Sequence, residues 1–358
     1  MQVEEFDFAI YGSGVDALFL AAELIQRHSA RVLLVRDQVN DYTLPDHQDF
    51  SVGGNCNPDT IKLAHLGIER WQAQFSDRAG RSCFEKSPLN LKVSAGPNSD
   101  ILNYIEGALI ACNRQFERKA EREGAEYLLL RDVVAPKKRQ AIEFLHNAYL
   151  GVGMEVFDRS EFEDAKRLKD GRLSMKSDGK RYRADTTIIL DDDLVHAHAN
   201  AALRNILRPI QGTKLAMRLN TRFVKPPTLY VDGQMCIRQA AENKLLITAP
   251  LEFDQVISRA KNEALDLEKM KVHAMGAFQG VTTIDGGPLL DFQVQKKTWV
   301  FSGGTVRAFL MPHVSDLVTN SSNDQNLRYW AEHSASGQRH ADICPPYSVE
   351  LGGGNARV

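Results

Sequence analysis

Apolar residues run along this chain in two rhythms, and the sharpest change between them lies near the amino end. Phe6, Phe8, Ile10 and Tyr11 read as a short buried strand, residues 17–26 carry apolar side chains at helical spacing, and Arg31-Val32-Leu33-Leu34-Val35 reads as a second strand. Further on, the pattern predicts helices over 60–74, 101–123 and 140–150, the middle one ending at Gly124 and the last at Gly151. Strands are predicted over 125–134, 154–157, 172–177 and 182–190, with Asp178-Gly179 as the hairpin turn between the last two. Residues 39–48 and 77–98 read as polar loops. Arg114, Arg118, Lys119 and Arg122 then form a solvated face of the long helix.

Between the first strand and the first helix stands Gly12-Ser13-Gly14-Val15-Asp16-Ala17. Gly12 lets the chain turn sharply, Gly14 lets backbone approach a pyrophosphate, and the small Ala17 lets helix and strand pack closely. Free N–H groups and the positive helix end then face phosphates, so the turn is a candidate dinucleotide site, with an ordinary glycine turn as the plainer reading. An acidic residue is expected at the end of the second strand to hold the ribose, but Arg36 stands there with Asp37 beside it. Either Asp37 takes the ribose, or Arg36 favours a 2′-phosphate, or Arg36 is solvated and backbone alone holds the ribose; an NADP-dependent reductase would rest on Arg36 alone. A second loop, Ser51-Val52-Gly53-Gly54-Asn55, precedes the helix at 60–74 and offers N–H groups to an anion or a flavin ring.

Composition narrows the classes. The 358 residues, 43% hydrophobic and 25% charged with a net charge of -2, fit an ordinary globular protein and give no reason to propose nucleic acid. No run is long enough to span a membrane and the acidic start is unlike a signal peptide, so a cytoplasmic location is expected. Five cysteines without CxxC pairing suggest neither zinc nor a disulfide framework, and His196 and His198 lack companion ligands, so no metal is expected.

The order of these pieces resembles the FAD-dependent oxidoreductases of the D-amino-acid oxidase, glycine oxidase and sarcosine oxidase group. Beyond the opening unit and the glycine-rich second loop, the matching motifs are Gly153-Met154-Glu155-Val156, Ala184-Asp185-Thr186-Thr187-Ile188-Ile189-Leu190, Arg208-Pro209-Ile210-Gln211-Gly212, a hairpin over 229–250, Thr283-Ile284-Asp285-Gly286-Gly287-Pro288-Leu289, and the late turn Gly303-Gly304-Thr305-Val306-Arg307 before a helix at 308–318. The resemblance implies an α/β fold: a Rossmann-like FAD-binding domain from 1–62, 145–204 and 283–320, interleaved with a mixed-sheet substrate domain from 63–144 and 205–282. Residues 321–358 read as a polar tail.

By the same resemblance, FAD would contact Gly12, Ser13, Gly14, Val15, Asp16, Ala17, Arg36, Asp37, Gly53, Gly54, Asn55, Val156, Gly303, Gly304, Thr305, Val306 and Arg307. The helix after the late turn would aim its amino end at the flavin as reduction builds negative charge. With no cysteine in 272–288, the link would be non-covalent. Three departures stand out: Asp191-Asp192-Asp193 replaces an alanine-glycine-rich turn, Gly280 stands where the family has a carboxylate-gripping arginine, and Arg307 stands at the third glycine of the late turn. Arg238, His273 and Arg307 are the basic candidates to replace the grip, with Tyr230 lining the pocket. The implied function is oxidation of an amine or amino acid by hydride transfer to flavin N5; the alternative is a catalytically weak FAD-fold subunit that assembles with a protein partner through its tail.

Overall fold

A computed structural model describes residues 3–37, 49–52, 57–76, 78–93, 99–120, 126–219, 226–231, 235–241, 243–262, 270–283, 287–321 and 327. The expectations for Gly53, Gly54, Asn55, Arg122, the turn at 284–286 and nearly all of the tail fall outside those residues.

In chain order the elements are β1 (Val3–Tyr11), α1 (Val15–His28), β2 (Val32–Arg36), α2 (Pro58–Gln74), α3 (Arg78–Arg81), β3 (Phe84–Lys92), α4 (Ser99–Ala111), β4 (Phe116–Ala120) and β5 (Glu126–Pro136). There follow α5 (Lys138–Tyr149), β6 (Met154–Asp158), β7 (Asp164–Arg167), β8 (Leu173–Ser177), β9 (Lys180–Ile189), α6 (Asp192–His198), α7 (Ala201–Ile206) and β10 (Leu207–Leu219). The last are β11 (Thr228–Tyr230), β12 (Met235–Ala241), β13 (Lys244–Ala249), α8 (Phe253–Asn262), β14 (Met270–Thr283), β15 (Leu289–Gln293), β16 (Thr298–Ser302) and α9 (Arg307–Val318).

The strands form two mixed sheets. One runs β15-β16-β9-β1-β2-β6, with the β7–β8 ribbon added along β9; the other runs β14-β10-β13-β12-β11-β3-β5-β4. In the first sheet β1 has parallel neighbours on both sides, β2 and β9. The strand order therefore reverses at β1, the kind of switch point beside which open α/β sheets bind ligands at their carboxyl ends.

Helices α1, α2 and α9 share one apolar core, in which Phe19 lies 4.4 Å from Trp71 and Trp71 stacks on Phe75 at 5.3 Å, centroid to centroid. Trp71 Nε1 donates to Ala308 O at 3.1 Å. A Cβ on Gly67 would come within 1.8 Å of Phe309 O, so α2 and α9 touch backbone to backbone at a place only glycine permits. Arg70 on α2 completes the clamp: Nη2 donates to Glu23 of α1 at 2.9 Å, and Nη1 to Asp316 of α9 at 2.6 Å. These contacts fix the start of α9 over the β1–α1 turn. Among the described residues, no helix is long and apolar enough to cross a membrane.

Three predicted features are corrected. The helix expected over 101–123 ends at Ala111; Asn113 turns the chain with φ 52, and Phe116–Ala120 is strand β4 against β5. The charged run is therefore not a helix face: Arg118 pairs with Glu106 and Glu126, and Arg114 lies 3.0 Å from His65. Strand β3 occupies the stretch read as a loop, with Pro88 at a bulge between Ser87 and Leu89 that interrupts an otherwise alternating pattern. The short β7, rich in charge, carried no apolar signal at all.

Candidate cofactor site at the β1–α1 turn

Strand β1 ends at Tyr11, and Gly12 N–H donates to Val35 O at 3.0 Å, tying the turn to β2. A Cβ on Gly12 would sit 2.5 Å from the Ala17 Cβ and 3.3 Å from the Leu190 Cβ, so turn, helix and the end of β9 close on a glycine. Gly14 is the N-cap of α1, extended at φ -82, and supplies no side-chain cap. On the other side, Leu190 N–H and Asp191 N–H donate to Tyr11 O at 2.8 and 3.2 Å, which brings the carboxyl end of β9 against the turn. In backbone terms this is the dinucleotide-binding unit that the sequence predicts.

The space in front of the turn is taken by the chain's own charges. Asp191 is the N-cap residue of α6, yet its carboxylate does not cap that helix. It reaches the turn instead, accepting from Ser13 N–H at 2.7 Å and from Ser13 Oγ at 3.1 Å, while Ser13 Oγ accepts from Asp37 N–H at 3.0 Å. Arg159, just beyond β6, fans across the same region. Its Nη2 donates to Asp191 at 2.7 Å, its Nη1 to Asp193 at 2.9 Å, and its Nε lies 3.2 Å from Asp37. Burial pushes the Asp191 carboxyl up to about 6, against the hydrogen bond from Ser13 and the charge of Arg159, with Asp16 adding to the rise.

A second cluster lies behind the first. Arg307, at the start of α9, is 4% exposed; its Nε donates to Asp16 at 3.0 Å, its Nη1 to Asp192 at 2.8 Å, and its Nη2 to Leu190 O. Burial works against the guanidinium charge, but Asp192, Asp16 and Asp49 outweigh it and hold the proton more tightly than usual. Asp16 is itself 2% exposed. Asp49 takes the amino end of α9, accepting from Ala308 N–H at 3.1 Å.

The expected site residues divide accordingly. Ser13, Asp16, Asp37 and Arg307 come together, but in bonds to Asp191, Asp192, Arg159 and one another. Val156 lies in β6 opposite Leu34, and Arg36 is half-buried at the end of β2, its pKa lowered by burial against the pull of Asp158. Gly303 packs against protein, since a Cβ there would meet the Phe301 ring at 2.6 Å and Arg307 Cγ at 2.7 Å. Gly304 has the left-handed φ of 55, Thr305 O accepts from Phe50 N–H at 2.7 Å, and Val306 is buried. In the second sheet Arg238 is ion-paired with Glu85, Tyr230 is buried in the core between β10, β12 and β13, and His273 is exposed on the outermost strand β14. Gly280 abuts the acidic cluster, a Cβ on it lying 3.1 Å from Asp192 Oδ2.

Sequence reading noted the acids after β9 and the arginine at the late turn as separate departures. It missed that they answer each other, and it missed Arg159 and Asp49 altogether. The available signal was opposite charge at two positions where small residues were expected.

A pyrophosphate at such a turn needs N–H groups free to turn toward it and no competing anion. Here Ser13 N–H is engaged by Asp191, the amino end of α9 is engaged by Asp49, and Asp16 places a further carboxylate in the first turn of α1. At Ser13, therefore, a pyrophosphate would have to displace the Asp191 carboxylate. The fold that carries the FAD expectation is present, and one of its expected contacts, Ser13 N–H, is taken by this chain's own Asp191.

No protein-family model and no curated protein matches the sequence. Among solved structures the chain is similar to glycine oxidase from Geobacillus kaustophilus, at 17% identity and a TM-score of 0.69, covering 92% of this chain and 98% of that one. It is also similar to L-proline dehydrogenase from P. horikoshii (10% identity, TM-score 0.70, 92% and 97% covered). A third likeness is to NikD, an amino acid oxidase essential for nikkomycin biosynthesis (14% identity, TM-score 0.66, 92% and 97% covered). With coverage this complete at identities this low, what the chain shares with these oxidases and dehydrogenases is their fold, that of the D-amino-acid oxidase group.

Proposed function

We propose that this chain uses the amino-acid-oxidase fold in a flavin-independent role. The observation that carries the reading is the Asp16–Arg307–Asp192 cluster. It fills the late-glycine position on the cofactor side with a buried guanidinium. Through Asp192 beside Gly280 it also sets a carboxylate where the family grips a carboxylate. An amino-acid substrate there would lose a charge-assisted bond of roughly 1.5–3 kcal/mol and face a carboxylate whose arginine is already engaged. Arg238, held by Glu85, and His273, exposed on β14, leave that position without a cation drawn from either.

The second reading, an FAD-dependent oxidoreductase, is favoured by the likeness to oxidases and dehydrogenases over nearly the whole chain. On that reading the acidic surroundings of Gly280 suit an amine without a carboxylate better than an α-amino acid. The two readings part in an assay of the purified chain, supplied with FAD and an electron-accepting dye, against a panel of amines and amino acids. The expected result is no turnover with any member of the panel. Turnover that depends on added FAD would contradict the proposal and favour the oxidoreductase.

A further inference from the structure

We infer that Asp191 is an intramolecular substitute for phosphate, so that the β1–α1 turn of this chain is a self-capped nucleotide site. This deepens the flavin-independent reading and rests on it. The turn keeps the glycines that open backbone to an anion, and an anion is indeed bound there, but it is a carboxylate delivered by the chain itself. Asp191 Oδ1 takes Ser13 N–H at 2.7 Å, the distance of a charge-assisted hydrogen bond, and Oδ2 takes the Ser13 hydroxyl. Arg159 neutralises the same carboxylate from the solvent side, and it is anchored in turn by Asp37 and Asp193.

The surroundings match a permanent cap rather than an incidental contact. Asp191 leaves its own helix uncapped to reach the turn. Behind it the Arg307 guanidinium, buried between Asp16 and Asp192, fills space with protein and holds the acidic segment Asp191–Asp193 against β1. Charge balance is therefore complete without a ligand: each carboxylate facing the turn has an arginine or a backbone N–H, and an incoming diphosphate would have to displace Asp191 from Ser13 while approaching Asp16.

The cap makes a gain-of-binding test possible. Asp191→Gly frees Ser13 N–H and leaves Arg159 with one carboxylate fewer beside the turn, held by Asp193 and Asp37. Asp191→Asn keeps an acceptor for Ser13 but removes the charge. Calorimetric titration of the full chain with ADP and with inorganic pyrophosphate, each variant checked for cooperative unfolding, reads the effect. The wild type should bind neither probe measurably, Asp191→Gly should gain roughly tenfold or more in affinity for both, and Asp191→Asn should fall between them. A folded Asp191→Gly that binds no better than the wild type would overturn the inference, whatever the wild type's flavin content. If Asp191→Gly fails to fold, Asp191→Asn carries the test, and equality with the wild type sinks the inference. Flavin found in the wild type would count instead against the flavin-independent reading.

Discussion

On one side of the candidate site, the β1–α1 turn keeps Gly12, Gly14 and Ala17 in the geometry of a dinucleotide-binding unit. On the facing side, the end of β9 and the start of α9 present Asp191, Asp192 and Arg307, joined to the turn by bonds of 2.7–3.0 Å. The two sides answer to different demands. Gly12 is required by packing, because a side chain there would strike Ala17 and Leu190 with or without a ligand. The facing wall has no such obligation, so its residues report what occupies the site. The turn motif thus goes with the fold, whereas the proposed flavin independence rests on the opposite wall.

The largest expected effect breaks the wall. Arg307→Ala strands Asp16 and Asp192 without their guanidinium and should cost about 3–5 kcal/mol in urea unfolding. Removing Asp16 as well should recover part of the loss, whereas strictly additive losses would show the pair to be independent. Next is the turn: Gly12→Val forces a side chain onto Ala17 and should cost about 3 kcal/mol in the same measurement, even though no ligand is involved. A cost near zero in ligand-free protein would mean that the glycine serves a ligand instead.

That division also explains what was legible in the sequence. The opening strand–helix–strand unit, α2, α5, β8, β9 and α9 follow from their apolar runs: α2 and α5 bury one face, while α1 and α9 are buried on nearly every side. β3 was hidden by Pro88 and its bulge, and β4 by a charged run whose partners, Glu106, Glu126 and Arg131, lie on other elements. The site was half legible for a similar reason. Gly12 to Ala17 form a local pattern, while Asp16–Arg307 and Ser13–Asp191 are pairings across nearly the whole chain or half of it, which spacing cannot reveal.

A smaller effect concerns pH. Burial raises the Asp191 carboxyl to about 6, so the folded chain holds that proton more tightly than the unfolded chain, whose aspartates titrate near about 3.9. The contribution is fully present below the unfolded value and is lost as pH rises through about 6. Asp191→Asn does not titrate, so its stability relative to the wild type should rise by about 2 kcal/mol from about pH 4 to about pH 6 and level off above. A difference that stays constant with pH would place the Asp191 carboxylate in water. The smallest effect is at the outer end of the Arg159 fan: Asp37→Ala removes one exposed ion pair and should change stability by less than about 0.5 kcal/mol.

The flavin content of the purified wild-type chain tests the central claim most directly. Protein isolated from cells supplied with riboflavin, then denatured and separated into supernatant and pellet, is read for flavin absorbance in both fractions. The account predicts a colourless protein with flavin in neither fraction and no uptake when FAD is added back. Stoichiometric flavin in either fraction would contradict it, because the cofactor would then be held at a turn where Asp191 bonds Ser13 and Arg307 bonds Asp16.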